Sequence, residues 1–173
     1  MSASLAACRR RLCLAVAIVC FASSAAAEIA IPMTYLRQVV ETPPVLSNLD
    51  SIPPDRGIAG AEVALTDTKT TGSFLGQNYS LAVVSVEAGG DFPSAARKAL
   101  ATSKILFLEA TPEDMLAVAD LPEAKNALLF DIASGARRLR DMDCRSNLLH
   151  TMAEDAMRTD ALMQVLKARR WTR

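Results

Sequence analysis

The chain has 173 residues, with 19 basic and 19 acidic side chains, a hydrophobic fraction of 51% and four cysteines. This balance lacks the strong basic excess typical of nucleic-acid binding, so we expect no nucleic-acid partner. The length suits one domain with a real core, or one domain and the start of another.

The first 27 residues have the order of a cleavable export signal. Three arginines at 9–11 precede an apolar stretch over 12–21, and small residues follow up to Ala27. The apolar stretch is shorter than the roughly 20 residues that a membrane-spanning helix needs. We therefore predict cleavage after Ala27 and a periplasmic location. The remaining chain would carry 16 basic and 19 acidic residues.

Cysteine placement limits the redox chemistry. Three of the four cysteines lie in the predicted signal, so only Cys144 remains after cleavage and no internal disulfide can form. Cys144 is interpreted as a half-buried small hydrophobe, with a reactive or pairing thiol as the alternative.

Apolar runs alternate with amphipathic segments in a βαβα order, which predicts a doubly wound α/β fold with a parallel sheet and helices on both faces. The predicted strands cover residues 28–36, 78–87, 105–109 and 127–133, with a brief extended piece at 147–150. The run at 105–109 is wholly apolar before its terminal glutamate. We therefore expect this strand to be buried on both faces and central in the sheet.

Four helices are predicted between these strands and after them. The four prolines within 40–57 predict a long loop, and Asp55 is then a plausible N-cap for a helix that fades around Gly72. Thr111 followed by Pro112 is a strong helix start. The other two predicted helices cover residues 94–103 and 153–169.

Three segments carry a resemblance to a known family. They are RGIAGAEVALTDTKTTGSFLGQNYSL at 56–81, DFPSAARKAL at 91–100 and DCRSNLLHTMAEDAMRTDALMQVLKARRW at 143–171. The chain resembles the type I periplasmic solute-binding proteins of ABC transporters, in the branched-chain amino acid and amide group. DLPEAKNALLFD at 120–131, together with DCRSNLLHT at 143–151, is similar to the subgroup associated with PQQ-dependent alcohol dehydrogenase systems.

The resemblance implies a division of the chain and a role for it. Residues 1–27 would be the signal, 28–145 the N-terminal lobe, and 146–173 the hinge crossing with the first helix of a truncated second lobe. Such proteins bind a small-molecule solute between two lobes and pass it to ABC permease and ATPase subunits at the inner membrane. The resemblance thus implies a protein that is not an enzyme and needs no cofactor.

Ligands of open parallel sheets bind at the carboxyl ends of the strands, which selects the candidate binding residues. These are Tyr35, Glu109, Thr111, Asp131 and Ser134. Thr111 either caps a helix or contacts the ligand, and the carboxylates of Glu109 and Asp131 either meet a ligand or are simply solvated. Members of the amino acid group often have a serine and threonine pair after the third strand. Glu109 at this place favours instead a cationic or metal-complexed solute.

No catalytic or metal-binding spacing is found. His150 is the single histidine, and its separation from Cys144 matches no nucleophile–base or metal-ligand pattern. We expect His150 to be a strand or hinge residue. The alternatives to solute binding are a truncated non-functional fragment and a periplasmic sensory or accessory module that binds a protein. An exposed apolar edge around the last helix also predicts self-association.

Overall fold

A five-stranded parallel sheet organises the computed structural model, which describes residues 28–41 and 53–171. The predicted signal at 1–27 and most of the proline-containing loop lie outside the described residues. The strands are β1 (Ile29–Gln38), β2 (Gln77–Val86), β3 (Ile105–Glu109), β4 (Leu128–Asp131) and β5 (Leu148–His150). Their spatial order is β2-β1-β3-β4-β5. The predicted α/β fold is confirmed, and β3 is the central strand.

Helices lie on both faces of the sheet, and a last helix follows β5. In the described residues they are α1 (Ile58–Phe74), α2 (Phe92–Leu100), α3 (Pro112–Ala119) and α4 (Asp155–Ala168). The crossover from β1 to β2 runs along the sheet in the opposite direction from the later crossovers. Because right-handed crossovers of opposite direction place their helices on opposite faces, α1 lies on one face and α2 and α3 on the other.

The core lies under α2 and α3, on the side we call the α2/α3 face. Leucines of β1, β3, β4 and β5 pack there against the apolar stripes of both helices. The fully buried large side chains of this cluster are Leu36, Phe92, Leu100, Leu106, Leu108, Met115, Val118, Leu129 and Leu139. The stripe of α2 combines Phe92, Ala96 and Leu100, four residues apart, which is the spacing of one helix face.

The opposite side, the α1 face, is covered more loosely. Gly72 is the one buried residue of α1, and the β3 side chains on this face, including Phe107, are only half-buried. The prediction that β3 is buried on both faces is therefore wrong. The start of α1 also differs from the expectation, because Gly57 and not Asp55 is the N-cap residue. Gly57 has a φ of 92° and no side chain caps the helix, which continues to Phe74.

The chain after residue 140 returns to the same sheet. β5 pairs with β4 in parallel, so the sheet extends beyond residue 145, where the predicted lobe boundary falls. Cys144 is exposed, so its interpretation as a half-buried hydrophobe is wrong. None of the helices within the described ranges combines the length and apolar character that a membrane span needs.

Candidate functional site

The neighbouring strands β1 and β3 are each followed by a crossover, and these two crossovers run on opposite faces of the sheet. In a sheet of this order, the neighbouring carboxyl ends of these strands form the switch point where ligands bind. A crevice of about 530 Å³ opens there. Its polar side chains come from Gln38, Glu41, Glu109 and Thr111, and Ala133 after β4 closes one side.

Glu109 of this crevice is hydrogen-bonded to Tyr35. The two residues lie on neighbouring strands and the same face, and the Tyr35 hydroxyl donates to Glu109 Oε2 at 2.7 Å. Burial of Tyr35 raises the pKa of its phenol well above the ordinary value, and the hydrogen bond and the charge of Glu109 raise it further. The phenol therefore stays protonated and keeps its role as donor. Tyr35 itself lines a second, apolar cavity of about 410 Å³ beneath α1.

Arg37 and Gly57 complete the surroundings of this pair. Arg37 Nε lies 4.0 Å from Glu109 Oε2, and its Nη1 donates to the carbonyl oxygen of Pro54 at 2.9 Å. A Cβ atom at Gly57 would lie 2.6 Å from the Tyr35 hydroxyl, so the chain enters α1 directly over the phenol. These contacts of Tyr35, Arg37 and Gly57 thus fix both the position where the chain enters α1 and the orientation of the Glu109 side chain.

Thr111 is occupied as a helix cap. Its hydroxyl accepts the backbone N–H of Asp114 at 3.2 Å and donates to the carboxylate of the same residue at 2.8 Å. Glu113 and Asp114 place two carboxylates in the first turn of α3, where the helix dipole is positive. This end of the crevice therefore offers little attraction to an anion.

Asp131 and Ser134 belong to a separate network at the end of β4. Asp131 is fully buried, and its Oδ1 accepts the N–H groups of Ala133 at 3.1 Å and Ser134 at 2.7 Å. Its Oδ2 lies 2.9 Å from His150 Nδ1. The Ser134 hydroxyl accepts the N–H of Ala136 at 3.1 Å. In this arrangement neither side chain lines the crevice.

The structure therefore divides the predicted residues into two groups. It brings Glu109 and Thr111 to the crevice, with Tyr35 hydrogen-bonded to Glu109 from the neighbouring cavity, whereas Asp131 and Ser134 stabilise the loop after β4. Within residues 28–41 and 53–171, no three His, Cys, Asp or Glu side chains gather in a way that would hold a metal ion.

Arg37, Gln38 and Gly57 are absent from the predicted set. Gln38 Oε1 is buried without a hydrogen-bond partner among the described residues, although Gln38 borders the crevice. Strand alternation signals Arg37, which lies two residues after Tyr35 and so shares its face. No sequence signal marks Gln38, because its importance depends on where β1 ends.

Comparisons with known proteins add no relative to this picture. No family model, no curated protein and no solved structure matches the chain.

Proposed function

We propose that this chain is a periplasmic solute-binding lobe of an ABC importer, linked to a PQQ-dependent alcohol oxidation system. The observation that carries the proposal is the crevice of about 530 Å³ at the β1/β3 switch point of a β2-β1-β3-β4-β5 sheet. Pockets of this size and place are where open α/β sheets bind small molecules. The importer, the periplasmic location and the PQQ link rest on the sequence resemblance.

The chemistry of the crevice favours a solute that carries hydrogen-bond donors or positive charge. Gln38 Oε1 is an acceptor without a described partner, and Glu109 and Glu41 contribute carboxylates. The Thr111 hydroxyl already donates to Asp114, so it does not compete as a donor. Arg37 beside Glu109 offsets part of the negative charge. A primary or secondary amine satisfies these acceptors best.

A crevice of one lobe encloses only one side of a solute. Because a single wall supplies few contacts and leaves much of the ligand in water, we expect weak binding, with a Kd on the order of 1 mM. In the proposed importer a second lobe closes over the solute, and the permease and ATPase subunits accept it. The chain itself binds and releases the solute without chemical change.

Titration calorimetry on the purified chain tests the proposal with putrescine, leucine and acetate. We expect heat from putrescine that is lost in Glu109→Gln and retained in Glu62→Gln, a control that removes the same charge from the exposed surface of α1, away from the residues that line the crevice. Tight leucine binding would contradict the preference for a positively charged solute, because leucine carries a carboxylate beside its ammonium group. Absence of binding by every probe, with both variants folded, would contradict solute binding by this lobe.

A further inference from the structure

The base of α4 is fixed firmly to the sheet. Both the N–H and the hydroxyl of Thr151 donate to the carbonyl oxygen of Asp131, at 3.0 and 2.9 Å. Arg140 donates to the carbonyl oxygen of Met152. The N–H of Asp155, the first residue of α4, donates to the carbonyl oxygen of Gly135 at 2.9 Å. The helix therefore leaves the lobe in a defined direction.

Beyond its base, α4 is exposed to solvent among the described residues. None of its 14 residues is buried. Its large apolar side chains are mostly in solvent, with exposed fractions of 57% for Met157, 58% for Leu162, 58% for Met163 and 51% for Val165. A helix of this length is marginal in water without packing. A packing partner is therefore needed to stabilise α4 and cover its apolar residues.

The charges of α4 are separated along its length. Glu154, Asp155 and Asp160 lie in its first half together with one basic residue, Arg158, which pairs with Asp155 at 3.7 Å, whereas Lys167, Arg169 and Arg170 lie at its end. Two copies placed antiparallel would bring the acidic start of each helix beside the basic end of the other, whereas parallel copies would oppose like charges. In a two-fold dimer each such contact occurs twice, because the same patch serves on both subunits.

We infer that α4 pairs antiparallel with α4 of a second copy of this chain, with Leu162 near the two-fold axis and Glu154 facing Arg169 of the other copy. Two four-turn helices bury an area at the low end of stable interfaces, so the dimer forms in a concentration-dependent way. The inference specifies the geometry of the self-association expected from the exposed edge. It does not depend on what the crevice binds.

Sedimentation equilibrium on the purified chain provides the test, with a charge swap as its central comparison. Glu154→Arg, made alone, places like charges against each other at two symmetric contacts, and so does Arg169→Glu. We expect each single variant to raise the dissociation constant of the dimer about tenfold. The combined variant Glu154→Arg with Arg169→Glu restores opposite charges and should recover the wild-type association. Glu62→Arg and Lys69→Glu, exposed on α1, are controls with the same charge changes.

Each other outcome overturns the inference. A monomer across the whole loading range would show that α4 has no partner in a second copy. A dimer that ignores both single reversals would place the interface elsewhere, and failure of the combined variant to restore association would exclude the antiparallel arrangement. Since no α4 side chain is buried, the variants should fold, and circular dichroism checks that they do.

Discussion

The two faces of the sheet differ in how closely the helices pack on them. On the α2/α3 face, leucines from four strands interlock with Phe92 and Met115, and these side chains are fully buried. On the α1 face, a helix of 17 residues buries only Gly72 and leaves a cavity of about 410 Å³ above Phe107. The fold is therefore stabilised mainly from one side.

This difference separates the source of stability from the proposed functional surfaces within the described residues. The α2/α3 face supplies the hydrophobic stabilisation, while the strand ends supply the crevice and α4 supplies the proposed contact with a second copy. Substitutions on the two sides should accordingly differ in kind. Those under α2 and α3 should change the free energy of unfolding most, and those at the strand ends and on α4 should change binding or association.

The largest expected effect is in the middle of the α2/α3 face. Leu106→Ala removes a fully buried side chain from the central strand and should lower the free energy of unfolding by about 3 kcal/mol, through lost burial and the cavity left behind. Leu75→Ala, at an exposed side chain directly after α1, is the matched control and should change it by less than about 0.5 kcal/mol. Urea unfolding followed by circular dichroism measures both, and equal losses would refute the contrast between the two sides.

Asp131 is the next most sensitive position. Asp131→Ala removes the acceptor of two backbone N–H groups and the partner of His150, all in a buried site, and should cost about 3 kcal/mol. Asp141→Ala, which removes an exposed carboxyl group, should cost less than about 0.5 kcal/mol. A comparable, small loss for both variants in urea unfolding would show that the buried network contributes little.

The sequence allowed the order of the elements to be predicted better than their packing. β3 occupies the predicted residues 105–109, and the Thr111 cap was readable because capping chemistry is local. Burial of β3 on both faces was predicted wrongly, since an apolar run does not tell how closely α1 approaches. Gly57 was missed as the helix start because its positive φ and its closeness to the Tyr35 phenol arise only in the folded chain.

The same limit applies to the candidate site. The rule that ligands bind at strand ends selected Glu109 and Thr111, which both line the crevice, because parallel strands place their carboxyl ends together. The rule did not separate them from Asp131, which turns inward to bond Ser134 and His150. The direction of a side chain at a strand end is decided by the neighbouring loop, which periodicity does not describe.

The start of α1 provides a more specific test of packing on the α1 face. Gly57→Ala forces an alanine to a φ of 92° and places its Cβ 2.6 Å from the Tyr35 hydroxyl, which should cost about 2 kcal/mol of unfolding free energy. Gly76→Ala meets a positive φ of 65° in open space and should cost only about 1 kcal/mol.

A double-mutant cycle isolates the contact with the phenol. In a Tyr35→Phe background the hydroxyl is absent. Gly57→Ala should then lower the free energy of unfolding by about 1 kcal/mol less than it does in the wild type, while the loss caused by Gly76→Ala should be unchanged. Urea midpoints of the six chains give these differences. Strict additivity between positions 57 and 35 would mean that the helix start does not bear on the phenol.

The smallest expected effect concerns a surface ion pair between Asp120, directly after α3, and Arg145, shortly before β5. Arg145 Nε donates to Asp120 Oδ1 at 2.6 Å and Nη2 to Oδ2 at 3.0 Å, and these hydrogen bonds hold the pKa of Asp120 below its usual 3.8. A lowered pKa stabilises the fold above the unfolded value and loses that effect as pH falls through the folded value. Because the carboxylate is 55% exposed, the gain should stay below about 1 kcal/mol.

Asp120→Asn should therefore unfold at slightly lower urea than the wild type near neutral pH, with the two chains converging as pH falls below 3.8. High salt should narrow the gap at neutral pH, because it screens exposed charges. A difference in urea midpoint that persists in acid would show that the shape of the side chain, and not its charge, causes the effect. No gap at neutral pH would show that a well-formed surface pair adds nothing to the stability supplied by the buried leucines.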